Sequence, residues 1–473
     1  MLRILHVVAV PVCLASLACD DLKRLYTENS CCGAGEKALA SGGGGGVATC
    51  GAIPQRYLDR SCCETSTAVV PQPAWEKVFD QPPFGLQAHH TFAFVLHGAA
   101  YFVTGNLRKV DGGVTDFSDA FYRWSPQGGF SDLGPFPGGK RGYAIGDVMQ
   151  DTQTVYFGFG MTRLPEGQTA CRHGGTPYRA CGVRTSYPRL RDLWSFDGNA
   201  EKNWTRLADN PAIGRTHPAL LALRGKIYMG MGFGELLDGS GKSGDLRDAW
   251  MYDVQSDSWT ELAPLPRPAH HPFQFSAGGQ HAYVMFGHNL SRIYNDVYRH
   301  RLFVDGSDAW ERMASLPGQG RVAGAQFSHA GRGFVLGGEA EDTESGEGVV
   351  INPHDSHRSM ATGEFWSYDP AADTWAQLPP APGRSRWAAT AFVLDDHVYM
   401  LLGSVRRGHG DNTTEEFPAT GFRYYLGNCT GPHAMCSNQS QGQGHASLVG
   451  SASRGAARHA AAACLAAAAL RGP

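Results

Sequence analysis

Residues 248–287 read DAWMYDVQSDSWTELAPLPRPAHHPFQFSAGGQHAYVMFG, and this stretch decides the fold. It contains an acidic residue before an aromatic segment, a polar turn, a tryptophan segment ending in Leu-Ala-Pro, and two apolar segments separated by Ala-Gly-Gly-Gln. Aromatic residues favour strands, whereas glycine and proline mark the turns between strands. The stretch therefore predicts short strands joined by turns, and the 61 glycines and 27 prolines extend that prediction to the whole chain.

The same pattern recurs before and after this stretch. It begins at Asp192-Leu-Trp-Ser-Phe-Asp, at Asp296-Val-Tyr and at Glu364-Phe-Trp-Ser-Tyr-Asp, and a weaker copy begins at Asp119-Ala-Phe-Tyr. Four copies carry a tryptophan in the last strand: Trp204, Trp259, Trp310 and Trp375. These tryptophans are 55, 51 and 65 residues apart. A period of about 50 residues is typical of Kelch repeats.

Over roughly residues 74–427 these motifs resemble the Kelch family, which implies a β-propeller of four-stranded blades. The sequence departs from the family pattern at three places. The glycine doublet after the second strand is intact only at Gly337-Gly338, Phe130 replaces one tryptophan, and Gly421-Phe-Arg-Tyr lacks the acidic residue.

The strand inventory predicts six blades. The last set of strands ends in Phe422-Arg-Tyr-Tyr-Leu and has no fourth strand after it, whereas Trp75-Glu-Lys-Val-Phe precedes the first complete set. We expect this early strand to close the ring, because an open ring would expose unpaired edges. A seventh blade made by the cysteine-rich N-terminus is the alternative, but the run Gly42–Gly46 and the lack of alternation oppose it. We predict an all-β, six-bladed Kelch-type propeller closed by an N-terminal outer strand.

The first residues resemble a secretory signal. Arg3 supplies the positive charge of the n-region, Ile4 to Leu17 form a short apolar core, and Ser16-Leu17-Ala18 is a small-residue cleavage site. The alternative is a buried strand or core helix at the start of the fold. The predicted domains are a signal peptide (1–18), a small cysteine-rich module with a glycine-rich linker (19–70), the propeller (71–428) and a low-complexity tail (429–473).

The cysteines agree with export. The N-terminal cluster comprises Cys19, Cys31, Cys32, Cys50, Cys62 and Cys63. In exported chains, an even number of cysteines close together in sequence indicates disulfides. We therefore predict that Cys171 pairs with Cys181 and Cys429 with Cys436. A zinc site is the alternative for the first cluster, although its adjacent cysteines lack Cys-x-x-Cys spacing. Five glycosylation sequons are present, at Asn203, Asn289, Asn412, Asn428 and Asn438.

Charge and hydropathy limit the partners. The net charge of −3 provides no basic footprint, so nucleic acid is not an expected partner. No apolar run reaches the roughly 18 residues of a membrane-spanning helix. We expect a monomer that is secreted, or reaches the cell surface, through the secretory pathway.

Aligning the starts of the six first strands brings out two candidate sets. One position holds Arg141, Arg215, Arg321 and Arg386, with alanine in the other two repeats. Two residues later the repeats carry His90, Tyr143, His217 and His271, again with two alanines. Guanidinium groups that share one funnel need an anion or carboxylates to compensate them. The functional interpretation is an anionic ligand, with the histidines and tyrosine as hydrogen-bond partners. The alternative is that the arginines pair with acidic residues such as Glu235 and Glu339.

Metal binding is a second interpretation of the histidines. Imidazoles from neighbouring blades can converge at a propeller axis, and His354-Asp-Ser-His357 is another candidate. The iron ligands of plant specifier proteins are not found, and nothing supports the copper site of galactose oxidase. We therefore predict no metal and no cofactor.

Long loops between the second and third strands lie on one face of the predicted propeller, at about 162–191, 235–247, 339–363 and 404–421. Long loops in compact domains commonly carry function. We predict a secreted or cell-surface module that binds a protein or glycan, of anionic character, through this face. One alternative is a Kelch-type enzyme acting on a sugar acid, because Gly338-Glu339-Ala340 faintly resembles a turn of the sialic-acid epimerases. Another is a propeller scaffold for the cysteine-rich module.

Overall fold

The computed structural model describes residues 74–108, 116–172, 181, 183–199, 204–236, 240–277, 281–289, 292–302, 307–341, 357–408 and 414–427. These residues form six antiparallel blades and four two-stranded ribbons. Within these ranges, the only helical element is one 3-10 turn, Pro83–Gly85. No helix of the described chain is long and apolar enough to cross a membrane. The predicted all-β propeller with six blades is confirmed.

Within each blade the strands are given from the innermost outward, and in blade 1 the short strand Ala88–His89 precedes the innermost strand, Phe92–Leu96. The strands of blades 1 and 2 are Ala88–His89, Phe92–Leu96, Ala99–Leu107, Phe117–Ser125 and Gly129–Pro135, then Ile145–Met149, Thr154–Gly158, Leu193–Phe196 and Thr205–Arg206. The strands of blades 3 and 4 are Ala219–Leu223, Lys226–Gly230, Ala249–Asp253 and Ser258–Leu262, then Phe273–Ala277, His281–Met285, Val297–Leu302 and Asp308–Met313. The strands of blades 5 and 6 are Ala325–His329, Arg332–Leu336, Gly363–Asp369 and Thr374–Ala381, then Thr390–Leu394, His397–Leu401, Gly421–Tyr425 and Glu76–Phe79.

The ring is closed by the N-terminal strand, as predicted. Glu76–Phe79 pairs antiparallel with Gly421–Tyr425, and places Glu76 opposite Arg423. The sixth blade is therefore assembled from both ends of the described chain.

Tryptophans of the fourth strands fasten neighbouring blades together at the periphery. In four blades the indole Nε1 donates to a backbone oxygen of the preceding blade: Trp259 to Ala208 at 2.9 Å, Trp310 to Ala263 at 3.0 Å, Trp375 to Ala314 at 2.9 Å, and Trp75 to Pro379 at 3.0 Å. Trp204 differs, since its Nε1 has no hydrogen-bond partner among the described residues. Trp75 thus makes the same contact as Trp259, Trp310 and Trp375. This shared hydrogen bond explains why the early strand serves as an outer strand.

A second set of bonds runs around the inside of the ring. After each second strand, a glycine N–H donates to a carbonyl of the next blade: Gly105 to Arg141, Gly160 to Arg215, Gly232 to Ala269, Gly287 to Arg321, Gly338 to Arg386 and Gly403 to Ala88, over 2.8–3.3 Å. A Cβ at Gly160 would lie 2.4 Å from the Gly142 oxygen, so a side chain does not fit there. We call these six hydrogen bonds the glycine belt.

The residue before each belt glycine has the backbone conformation expected of the first glycine in the Kelch glycine doublet. All six have left-handed backbones: Thr104 (φ 57°), Phe159 (60°), Met231 (58°), Phe286 (56°), Gly337 (64°) and Leu402 (56°). The doublet is complete in sequence only at Gly337-Gly338, yet its backbone geometry recurs in every blade. The five non-glycine side chains are buried, so their packing offsets the strain of this conformation, which costs about 1 kcal/mol or more per residue.

Aromatic clusters fill the spaces between blades. Between blades 4 and 5, the ring centroids of Tyr283 and Tyr368 are 5.6 Å apart, and those of Tyr368 and Trp375 are 4.9 Å apart. Both tyrosines are fully buried. Such pairs add about 0.5–1.5 kcal/mol beyond the buried area, so the blades adhere through rings as well as through hydrogen bonds.

Candidate functional site

The residues just before the six innermost strands form a ring around the channel. His90, Tyr143, His217 and His271 occupy this position in blades 1 to 4, and alanines occupy it in blades 5 and 6. All six backbones are left-handed, with φ between 43° and 59°. Hydrogen bonds between blades fix the ring, because His90 N–H donates to Ala388 O at 3.2 Å and His217 N–H to Tyr143 O at 3.1 Å. We call these side chains the axial ring.

The structure brings the four predicted polar side chains of the axial ring into contact. The ring centroids of His217 and His271 are 3.6 Å apart, and those of Tyr143 and His217 are 4.2 Å apart. His90 lies 4.9 Å from Tyr143 and 5.4 Å from His271. The sequence alignment therefore identified residues that meet in space. Their role in ligand binding stays a prediction.

Two of the axial imidazoles are held in the neutral form. Burial lowers the pKa of His90 and of His271 well below the usual value, and neighbouring histidines lower both further. The Nε2 atoms of both rings are buried and have no hydrogen-bond partner among the described residues. Each of these atoms carries a lone pair when the neutral ring bears its proton on Nδ1, and can then accept a proton or bind a metal.

A second layer of histidines supports the axial ring from the loop side. His271 Nδ1 lies 3.1 Å from Nε2 of buried His288, and the imidazole of His270 is bonded to Asp245. The ring centroid of His357 lies 5.0 Å from that of His288, so His357 extends this layer. These second-layer residues were not predicted as a group, although the doublet His270-His271 and a histidine after Gly287 were visible signals.

Glu339 anchors a buried ionic network at the mouth of the channel. Its carboxylate is fully buried, accepts from Arg406 Nε at 2.9 Å and lies 2.5 Å from His357 Nδ1. Burial alone would raise the pKa of Glu339, but Arg406 and His357 together bring it below its usual value. The Arg406 guanidinium also stacks 4.3 Å from the Trp387 ring centroid. The sequence named His357 only as a metal candidate with His354, which lies outside the described residues.

The four predicted arginines do not point into the channel. Arg141 donates to both carboxylate oxygens of Asp192 at 2.9 and 2.8 Å, and Arg321 donates to Glu364 at 2.8 Å. Arg215 binds Asp248 as Arg141 binds Asp192. The partners are the acidic residues that start each repeat, in place of Glu235 and Glu339.

Arg141, Arg215 and Arg386 also donate to the carbonyl that precedes a belt glycine, as Arg215 does to Met231 O at 3.0 Å. All four arginines are at most 4% exposed. A structural role inside each blade is therefore favoured over the predicted anion funnel.

The pairing of a buried arginine with the acidic residue of the same blade differs in blades 4 and 6. Blade 4 has alanine at the arginine position, and Arg267, two residues earlier, binds Asp296 instead. Blade 6 lacks the carboxylate, and within the described ranges Arg386 donates only to Leu402 O, at 3.2 Å. Burial lowers the pKa of Arg386 to about 10. The register of the third strand places Thr420 at the position of the missing acid.

Four ribbons rise from the long loops on one face, which we call the long-loop face. They are Ala170–Cys171 with Arg184–Thr185, Phe233–Glu235 with Ser243–Asp245, Glu339–Glu341 with His357–Ser359, and Val405–Arg407 with Thr414–Glu416. The predicted disulfide between Cys171 and Cys181 is present in the first. Neighbouring ribbons touch, since Arg189 donates to Ser243 Oγ and Arg406 N–H to Ser359 Oγ, both at 3.0 Å.

Several predicted residues cannot be placed. Cys429, Cys436, the N-terminal cysteines and the sequons at Asn203, Asn412, Asn428 and Asn438 lie outside the described residues. Asn289 is described, and its Nδ2 donates to the Tyr294 hydroxyl at 2.7 Å. Its glycosylation stays a prediction.

Comparison with known proteins supports the repeat assignment. The chain is 26% identical over 202 residues to Kelch-like protein 35 of Mus musculus, which covers 43% of this chain and 30% of that protein. Register, blade count and this likeness together decide the fold. The chain contains a Kelch-type β-propeller.

The Kelch propeller also matches N-acetylneuraminate epimerase 1 of Escherichia coli O6:H1, with 25% identity over 237 residues, 43% of this chain and 59% of that protein. Among solved structures, one titled "Structure of YjhT" aligns with a TM-score of 0.49 and 11% identity, over 71% of this chain and 99% of that one. No protein-family model matches the sequence. The chain spans less than two thirds of the length of either curated relative.

Proposed function

We propose that this Kelch propeller is a binding module that recognises a protein or glycan through its long-loop face. One observation carries the proposal: two half-buried aromatic rings on two different loops lie next to histidines around the channel. Between ring centroids, Phe233 is 5.4 Å from His270 and Phe417 is 6.1 Å from His89. Half-buried Tyr187, on a third loop, packs 6.5 Å from the buried ring of Phe117.

Such an arrangement suits a ligand with both apolar and polar faces. Aromatic rings supply contact area at a low cost in conformational entropy, and neighbouring imidazoles supply hydrogen bonds. Sugars and protein side chains both have this mixed character. The arginines that were predicted to bind an anionic ligand are buried inside the blades. We therefore place recognition on the aromatic rings.

A glycan array and affinity capture from extracellular material, both with the full chain, test the proposal. Phe233→Ala and Phe417→Ala should each weaken binding of any ligand found by about tenfold or more. Val254→Ala is the matched control, because Val254 is exposed at a turn on the opposite face. Equal binding by all three variants would place recognition elsewhere.

We also propose that the protein is exported and that its sequons are glycosylated. The disulfide between Cys171 and Cys181 supports export, since such bonds persist in oxidising compartments. Mass spectrometry of the native protein tests both statements. A mature chain that begins near residue 19 is expected, and recovery of the intact first 18 residues would contradict export.

An enzyme acting on a sugar acid is the second candidate. Several relatives are named N-acetylneuraminate epimerase, at 22–27% identity. In this chain, the neutral imidazoles of His90 and His271 supply groups that can exchange protons. Proton NMR of N-acetylneuraminate with and without the protein tests this function. Faster interconversion of its anomers, lost in His271→Ala, is the expected result, and unchanged interconversion would exclude it for this sugar.

A further inference from the structure

Three imidazoles of the axial ring come from separate blades and meet at one point. His90, His217 and His271 belong to blades 1, 3 and 4, and one nitrogen of each lies within 4.8 Å of the other two. Because each occupies the same repeat position, with φ between 52° and 56°, the propeller symmetry itself makes them converge.

The contacts of His90 and His271 involve Nδ1 and leave Nε2 of each ring available to a ligand. His271 Nδ1 is 3.1 Å from His288 Nε2, whereas His271 Nε2 is buried without a hydrogen-bond partner. His90 has the same arrangement: its Nδ1 contacts His89 at 2.6 Å, and its buried Nε2 has no hydrogen-bond partner. Buried polar atoms are nearly always paired, so two such atoms in one cluster call for a ligand. Metal-binding histidines typically use their other nitrogen to contact a supporting group, as both residues do here.

We propose that His90, His217 and His271 bind one divalent transition-metal ion of the zinc type. Zinc–nitrogen bonds of about 2.0–2.1 Å in tetrahedral geometry bring the ligand atoms to about 3.4 Å apart, so the rings need to move inward by roughly 1 Å. Imidazole donors favour zinc, copper and nickel over magnesium and calcium. A pocket of about 120 Å³, lined by the same residues, leaves room for a water or a small ligand at the fourth position.

A neighbouring triad, His270, His271 and His288, is also compact, with nitrogens within 4.8 Å of one another. We assign it to support of the first, because His270 is bonded to Asp245 and the contact between His271 and His288 uses nitrogens that a metal would need. Arg406, whose charge reaches His90, is paired with buried Glu339. The site does not depend on the ligand proposed for the long-loop face.

The experiment uses the full chain, stripped of metal with a chelator and titrated with Zn²⁺ by calorimetry. One ion per chain with submicromolar affinity is expected. Binding of Co²⁺ in place of Zn²⁺ should produce the intense visible absorption of a tetrahedral site. Elemental analysis after desalting provides the stoichiometry independently.

Variants locate the ion. His271→Ala and His217→Gln should weaken Zn²⁺ binding at least about 100-fold, and His288→Ala about 10- to 100-fold as a supporting residue. His97→Gln is the matched control, because His97 is exposed at a turn away from the axial ring. Melting temperatures measured with chelator show whether each variant is folded, and His217→Gln keeps the test valid if His271→Ala does not fold. Absence of binding by the parent protein, equal binding by His271→Ala and His97→Gln, or loss in His270→Ala but not in His90→Ala would each overturn the assignment.

Discussion

Arg215 binds Asp248 through two hydrogen bonds, Nη1 to Oδ1 at 2.8 Å and Nη2 to Oδ2 at 2.7 Å. The arginine is fully buried and the aspartate side chain is 7% exposed. Burial alone would raise the pKa of Asp248, but Arg215 and the Trp250 indole bring it below the usual value. The pair is therefore a buried ionic latch between the start of the first strand and the start of the third.

Removing the arginine should be costly where a carboxylate remains. We expect Arg215→Met to lower the free energy of unfolding by about 3–5 kcal/mol, because Asp248 would stay buried without a countercharge. Arg386→Met is the matched control, since blade 6 has no carboxylate at this position, and it should cost about 1–2 kcal/mol. Chemical denaturation of both variants tests the difference. Equal losses would show that the carboxylate is unimportant.

Ring closure should depend on the N-terminal strand. We expect deletion of residues 74–79 to abolish the cooperative unfolding transition, because blade 6 would lose its outer strand and the Trp75 contact with Pro379. Glu76→Ala is the control: its ion pair with Arg423 is exposed, so the change should cost under about 1 kcal/mol. Thermal melting followed by circular dichroism distinguishes them, and an unchanged melt of the deletion variant would refute closure.

Asp147 should make stability depend on pH. Burial raises its pKa to about 7, opposed by the N–H groups of Ala222 and Val148. The folded protein therefore binds more protons at this residue than the unfolded chain between about pH 4 and 7, so its contribution to stability falls as the pH rises through this window.

Asp147→Asn cannot ionise and should lack this contribution. The stability difference between parent and variant should thus shift by more than about 1 kcal/mol in favour of the variant between pH 4 and 8. Denaturation at several pH values measures it. A constant difference would show that Asp147 has an ordinary pKa.

The Cys171–Cys181 bond should stabilise its ribbon locally. The double change to serine should leave global unfolding within about 1 kcal/mol of the parent but increase proteolysis within 162–191, because the ribbon lies outside the blades. Peptide mapping without reduction should recover the two cysteines linked. Free thiols at both positions would contradict the structure.

The fold was predictable because the repeat places its marker residues on the backbone itself. Aspartate, tryptophan and glycine recur at fixed positions, and counting strands was enough to identify the closing strand. The direction of the arginine side chains was not predictable in this way. Alignment shows that residues are equivalent but not whether they face the channel or the blade interior. The acidic residue at the start of each repeat was nevertheless a visible partner.

The site was predicted only in its inner layer. His90, Tyr143, His217 and His271 share one repeat position, so alignment found them together. His288 and His357 follow the second strand or lie in a loop ribbon, where spacing varies from blade to blade. Their meeting with the axial ring depends on how neighbouring loops pack, and a one-dimensional pattern does not contain that information.

The glycine belt also bears on how such a protein can diversify. Its six hydrogen bonds join backbone groups at the ends of strands, and none of them involves a residue of a loop ribbon. A loop can therefore lengthen, gain a disulfide or exchange its aromatic residue without loosening the ring. The proposed recognition surface and the architecture are encoded in separate parts of each repeat, so selection can change one without compromising the other.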